Sequence, residues 1–256
     1  MSKHFLVLAC LSLSGCMPFT PSAHLSERST VPLDLRGVSA VSVNTVNGFI
    51  HLDTIGRETS LSVGRRGLQV VSINKVGGVL VIRASASNCP ACGADVDLRL
   101  PANLRLLAAS LSSTNGPIKV EGAFQTRVSA TTTNASINVN GARGVDAHTT
   151  NAPLLISNLN GLLNVNSTNG SLTLLNVSLP AGSSSSATTT NGVLSALGVR
   201  ANKGLRVVAR TSRALTNVSA PGLVVTRDAL GFTATRAGRF EAGLDLETSN
   251  APISLN

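Results

Sequence analysis

One short phrase, roughly Ser/Thr-Ser/Thr-Asn-Gly/Ala, recurs nine times in this chain of 256 residues and constrains its fold more than anything else in it. The clear copies are Thr114-Asn115-Gly116, Thr133-Asn134-Ala135, Thr150-Asn151-Ala152, Thr168-Asn169-Gly170, Thr190-Asn191-Gly192 and Ser249-Asn250-Ala251. An early copy is Val46-Asn47-Gly48. Two late copies place Arg in the Asn slot, Ser212-Arg213-Ala214 and Thr235-Arg236-Ala237. A repeat of this length implies one supersecondary unit stacked many times.

The residues after the phrase identify the unit. The third and fifth positions beyond the slot are usually apolar: Ile50/Leu52, Ile118/Val120, Ile137/Val139, Leu154/Ile156, Leu172/Leu174, Leu194/Ala196 and Ile253/Leu255. Apolar residues two apart share one face of a strand. Each unit therefore reads as a turn and a short strand with one buried face. Asn and Gly both tolerate left-handed backbone, so Asn-Gly is a strong turn signal. From Asn115 the slots are spaced 19, 17, 18, 22, 22, 23 and 14 residues apart. Hairpins of that size would fit. A β-solenoid coil fits better, because the same turn returns with the same inward pair. The expectation is an all-β, parallel β-helix-like solenoid of about ten short coils, on the order of 50 Å long. Stacked Thr and Asn side chains can hydrogen-bond along such a ladder.

Two stretches fit less well. The Arg236 unit places Arg239 and Glu241 where the inward pair belongs. Between Asn47 and Asn115 the phrase is missing, and Gly77-Gly78 before Val79-Leu80-Val81-Ile82 reads as a degenerate copy. Alternation persists there, with Val96, Leu98 and Leu100 on one face. The last strand, from Pro252 to Asn256, has no evident cap and reads as an exposed edge open to self-association.

Residues 1–15 carry Lys3 and an apolar run from Phe5 to Leu13, a secretory signal too short to span a bilayer. Leu13-Ser14-Gly15-Cys16 resembles the lipoprotein cleavage box, which implies acylation of Cys16 and a membrane anchor. In Gram-negative lipoproteins Met17, being other than Asp, favours the outer membrane. Residues 16–31 read as a flexible tether and 32–256 as the repetitive domain. The face of the membrane is left open.

The formal charge is +9, mostly scattered Arg. It suits solubility or an anionic envelope polysaccharide or lipid. Nucleic acid is not expected of an exported chain with no Trp, no Tyr and no basic helix. Cys89-Pro90-Ala91-Cys92 reads most simply as a local disulfide. A redox or zinc site would need a helix N-terminus or further ligands, and His24, His51 and His148 are far apart in sequence. No metal or cofactor is expected. The coils lack the Asp of calcium-binding repeats. A glycan-cleaving β-helix is the enzyme alternative. Its best acid pair is Asp245 and Glu247, which share one strand face and read as a solvated surface.

A stretch from Ala94-Asp95-Val96-Asp97-Leu98-Arg99-Leu100-Pro101, through Leu106 to Leu111, leads into Ser113-Thr114-Asn115-Gly116-Pro117-Ile118-Lys119-Val120. It resembles the bacterial putative-adhesin family, a domain of unknown function related to head-GIN-type surface domains. The resemblance covers roughly Val41 to Asn256. It implies an extracytoplasmic β-solenoid-like domain with no established activity and no agreed site residues. The functional expectation is a lipid-anchored, non-enzymatic envelope protein that presents a repetitive surface for adhesion or envelope binding. A structural or assembly role is the other non-enzymatic reading.

Overall fold

The computed structural model describes residues 27–66, 70–85, 92–212, 214, 216–219, 222–229, 231–239 and 241–256. Those residues are strand, turn and bend, with no helix. The chain begins with β1 (Glu27–Val31), β2 (Ala40–Asn44), β3 (Ile50–Asp53), β4 (Ser60–Arg66), β5 (Val70–Val76), β6 (Val79–Ser85) and β7 (Gly93–Arg99). Four longer or central strands follow: β8 (Ala108–Ser112), β9 (Ile118–Thr131), β10 (Ile137–Thr149) and β11 (Leu154–Ser167). Then come β12 (Leu172–Leu175), β13 (Ser178–Leu179), β14 (Ser184–Thr189), β15 (Leu194–Leu197), β16 (Arg200–Ala201) and β17 (Leu205–Thr211). The last are β18 (Thr216–Val218), β19 (Val224–Asp228), β20 (Gly231–Arg236), β21 (Ala242–Thr248) and β22 (Ile253–Leu255).

Each coil has one strand before the Asn turn and one after it. The strands before the turn stack in parallel as β6, β2, β8, the second halves of β9, β10 and β11, then β14, β21 and β17. Those after it stack as β7, β3, the first halves of β9, β10 and β11, then β12, β15, β22 and β18. Nine rungs result, about 38 Å at roughly 4.8 Å per rung. The long strands β9, β10 and β11 turn a second corner through a register shift near Ala142 and Gly144. The inward pairs meet between the two ladders; Ile118, Val120, Ile137, Val139, Leu154 and Ile156 are all fully buried. This is the all-β, solenoid-like architecture that the period implies.

The rungs do not follow chain order at either end. The N-terminal coil, β2 and β3, lies between the β6/β7 rung and the β8/β9 rung. The C-terminal coil, β21 and β22, lies between the β14/β15 rung and the β17/β18 rung. The final strand is therefore not an open edge, which corrects the sequence expectation. Antiparallel strands close the ends instead. β4 pairs with β7 and β1 with β4; β5 pairs with β6; β20 pairs with β17 and β19 with β20.

Three further expectations change. Gly77 and Gly78, with φ of 55° and 79°, make the two-residue turn of the β5–β6 hairpin rather than a copy of the phrase. The place of the missing copy is held by Cys92-Gly93-Ala94, one rung beyond Val46-Asn47-Gly48 by the register of β3 on β7. Arg236 is not a turn residue. It ends β20, opposite Leu205 of β17, and its guanidinium donates to the Ala201 carbonyl. Arg239 and Glu241 are exposed, and the inward residues here are Phe232, Ala234, Ala242 and Leu244. The strand spacing of this segment belongs to an antiparallel cap, so its phrase-like tripeptide is incidental. Finally, Glu27–Val31 form β1, so the tether expected over 16–31 overlaps the first strand.

Candidate binding surface

The phrase divides its residues among different columns. Its first Ser or Thr points inward: Thr45, Ser113, Thr132, Thr149, Ser167, Thr189, Thr211 and Thr248 are all buried. Their hydroxyls hold the turn backbones together. Ser167 accepts from the Gly170 N–H at 2.9 Å and donates to the Ala152 carbonyl at 3.3 Å. Thr189 does the same between the Gly192 N–H and the Gly170 carbonyl, at 3.2 and 3.0 Å. These bonds tie one rung to the next in a space closed to water.

The Asn side chains form a second column on the outside. Asn115 Nδ2 donates to Asn47 Oδ1 at 2.6 Å, Asn134 to Asn115 at 2.7 Å, and Asn151 to Asn134 at 2.7 Å. The ladder continues through Asn169 to Asn151, Asn191 to Asn169 and Asn250 to Asn191, at 2.8, 2.8 and 2.6 Å. At its start Asn47 Nδ2 donates to the Cys92 carbonyl at 2.7 Å. An amide suits this role because it carries both donor and acceptor. The ladder also passes directly from Asn191 to Asn250, following the interleaved rung order. Beside it runs a third column, Thr114, Thr133, Thr150, Thr168 and Thr190. These side chains are exposed, and their hydroxyls have no partner among the described residues.

Loss of the inner and outer columns should differ in effect. Ser167→Ala strands a buried N–H and should cost about 1–3 kcal/mol. Asn151→Ala removes two exposed bonds whose groups water can satisfy, and should cost about 1 kcal/mol. Urea unfolding of both variants checks the order; a larger loss from Asn151→Ala would contradict it.

No slot Asn has positive φ, and neither do Gly48, Gly116, Gly170 or Gly192. The left-handed turn expected for Asn-Gly is therefore absent. Gly is required by close approach instead: a Cβ on Gly48 would lie 1.8 Å from the Ala94 carbonyl oxygen. Within the coils, left-handed backbone recurs at the second corner. Gly122, Gly141, Asn158, Asn176 and Gly198 stand there with φ between 53° and 81°. Each lies seven residues after a slot Asn, a signal present in the sequence and missed. Asn158 donates to Asn140 at 2.8 Å, and Asn176 to Asn158 at 3.4 Å.

Cys16, Cys89 and Arg213 lie outside the described residues. Cys92 is buried at the head of the Asn ladder. Asp245 and Glu247 are exposed on the flat outer face of β21, in register with Ser186 and Thr188 on one side and Val208 and Arg210 on the other. On the same face, a shallow hollow of about 560 Å³ lies over Ser42, Ser110, Ser129, Asp146 and Asn164. Here Asp146 Oδ1 accepts from Asn164 Nδ2 at 3.1 Å and contacts His148 Nε2 at 2.7 Å. No group of three or more His, Cys, Asp or Glu among the described residues is arranged to hold a metal ion.

The outer face of the second ladder carries a charge cluster that sequence reading did not assemble. His51 stands between Asp97 and Glu121, with Nδ1 3.2 Å from Asp97 Oδ1 and Nε2 3.0 Å from Glu121 Oε2. The Asp97 contact is one of proximity, since that oxygen has no donor in hydrogen-bonding geometry. Lys119 Nζ also reaches Glu121 Oε2, at 3.0 Å. Lys119, and then His51, hold the Glu121 carboxyl below its ordinary pKa against the opposing effect of burial. A lowered folded-state pKa adds stability above the unfolded value of about 4.3, and that stability is lost as pH falls through the folded value. Glu121→Gln should thus shrink the gap between urea midpoints at pH 6 and pH 3. An unchanged gap would contradict the assignment.

No protein-family model matches the chain, and neither does any curated protein. Solved structures are similar along most of it. A protein from Bacteroides fragilis described as a putative adhesin is 14% identical, with a TM-score of 0.41 over 90% of this chain and 98% of that one. A putative adhesin from Parabacteroides distasonis is 13% identical, with a TM-score of 0.43 over 90% and 96%. A putative cell adhesion protein from Clostridium sporogenes is 6% identical, with a TM-score of 0.34 over 90% and 98%.

Proposed function

We propose that this is a lipid-anchored, non-enzymatic protein of the bacterial outer membrane that binds through its repetitive corner. The observation that carries this reading is the pair of exposed columns, seven stacked Asn amides beside five Thr hydroxyls without partners. They repeat the same polar groups on successive rungs, the amide on seven of the nine and the hydroxyl on five. A polymeric ligand such as an envelope polysaccharide could engage many of them at once, so that weak contacts multiply. Acylation of Cys16 supplies the anchor, and a Cys89–Cys92 disulfide pins the loop next to the ladder's first rung. For self-association the outer edges include β5 and β19 at the ends of the first ladder and β1 and β18 at the ends of the second, each paired on one side only among the described residues.

Protease treatment of intact cells carrying an epitope-tagged copy tests the reading, with a periplasmic protein as control. Digestion of the tagged domain is expected. Protection until the outer membrane is broken would remove the adhesive role. A Cys16→Ser copy should leave the membrane fraction; retention there would refute the lipid anchor.

A further inference from the structure

The second corner, half a coil along the chain from the Asn ladder, carries a different chemistry. Arg105, Arg127 and Arg143 are all exposed there. None has an ion-pair or hydrogen-bond partner among the described residues. Arg143 lines two neighbouring hollows, one of about 530 Å³ shared with Arg127 and one of about 460 Å³ shared with Arg105. Leu107 lines both, and no carboxylate lines either. A third hollow, sharing Ala102, Leu104, Leu106 and Gln125 with the Arg105 one, is walled by Ile55 and Phe124. On that side Asp53 accepts from the Ile55 N–H at 2.8 Å, and its register partner Glu121 is held by His51 and Lys119.

Large apolar side chains stand out of this same edge. Ile55 is 62% exposed, Leu107 60%, Phe124 55% and Leu162 39%. Unpaired cations beside protruding apolar groups, with no acid lining the hollows between them, are what a protein needs to rest on an anionic bilayer: the guanidiniums meet lipid phosphates and the apolar tips enter the headgroup boundary. A soluble acidic polymer would use the cations but would gain nothing from exposed Ile, Leu and Phe. We propose that this corner docks on an anionic lipid surface, with Arg105, Arg127 and Arg143 as phosphate contacts and Leu107 and Phe124 as interfacial anchors. The inference does not depend on the Asn columns binding anything.

The test is sedimentation of the full chain carrying Cys16→Ser, which has no acyl anchor, with vesicles of phosphatidylcholine alone or with about 30% of the anionic lipid phosphatidylglycerol. Binding to the anionic vesicles should be at least about ten-fold tighter and should fade in high salt. Combined Arg105→Gln, Arg127→Gln and Arg143→Gln should weaken it by about five-fold per Arg. Leu107→Ser with Phe124→Ser should weaken it while leaving all charges in place. All five side chains are exposed, so unchanged far-UV circular dichroism and melting should accompany each variant. Equal binding to both vesicles, or no effect of the Arg changes, would overturn the proposal. So would displacement by polygalacturonate together with full binding by the Leu107/Phe124 variant, which would make the edge a site for soluble polyanions. Failure here leaves the cell-surface digestion result untouched, so the two readings fall separately.

Discussion

Phe232→Ala should lower the unfolding free energy by about 3–5 kcal/mol. Phe232 is the largest fully buried side chain among the described residues and lies on β20, between Ala209 of β17 and Arg227 of β19. It is the main apolar mass that the C-terminal cap places over the last rung. In a stacked fold each unit touches only its neighbours, so the damage should remain near that end. Amide exchange should accelerate in β17, β20 and β19 and change little in β9 and β10. A loss under about 1 kcal/mol, or acceleration spread evenly along the chain, would contradict the capping role.

Gly116→Ala should be of similar size, about 3 kcal/mol or more, which is a fall of about 6–12 °C in Tm. Its Cβ would lie 1.7 Å from the Gly48 carbonyl oxygen and 2.2 Å from the carbonyl carbon. Both are backbone atoms, so the rungs themselves must separate. Ala occupies the same slot at 135, 152 and 251. The penalty therefore belongs to this particular approach of two rungs and not to the phrase as such. Gly56→Ala is the control, because its nearest atom is 3.9 Å away and φ is not positive. It should shift stability by less than about 1 kcal/mol. Equal effects of the two changes would mean that Gly116 is not wedged against Gly48.

The period and the inward pairs were legible because they repeat a local requirement in every coil: one face of a short strand must be apolar. The amide ladder was legible for a similar reason, since Asn in a fixed slot of stacked coils must meet its counterpart. The order of the rungs was not. Parallel rungs with near-identical inward pairs, such as Leu194/Ala196 and Ile253/Leu255, do not specify which neighbour each takes. What selects the order is the antiparallel capping at β4, β5, β19 and β20, whose partners lie far away in sequence. Thr235-Arg236-Ala237 misled because a strand end can carry the same tripeptide as a turn. Asn-Gly misled because Gly is used here for closeness, not for φ. The Arg edge escaped notice because Arg105, Arg127 and Arg143 are scattered in sequence and converge only when three successive coils stack at one corner.

The two ends of the Asn ladder, Asn47 and Asn250, depend on the interleaved order of the rungs, and one pair of variants tests it at the C-terminal end. Ser195 and Ser254 are register partners on β15 and β22, with hydroxyl oxygens 3.2 Å apart. In a solenoid wound in chain order, β18 would take that place and Asn217 would be the neighbour of Ser195. Ser195→Cys with Ser254→Cys should form an intramolecular disulfide on mild oxidation, seen by non-reducing peptide mapping. Ser195→Cys with Asn217→Cys should not, because two rungs separate those positions by about 9–10 Å, beyond disulfide reach. The reverse pattern would contradict the interleaved order, and with it the placement of Asn250 in the ladder.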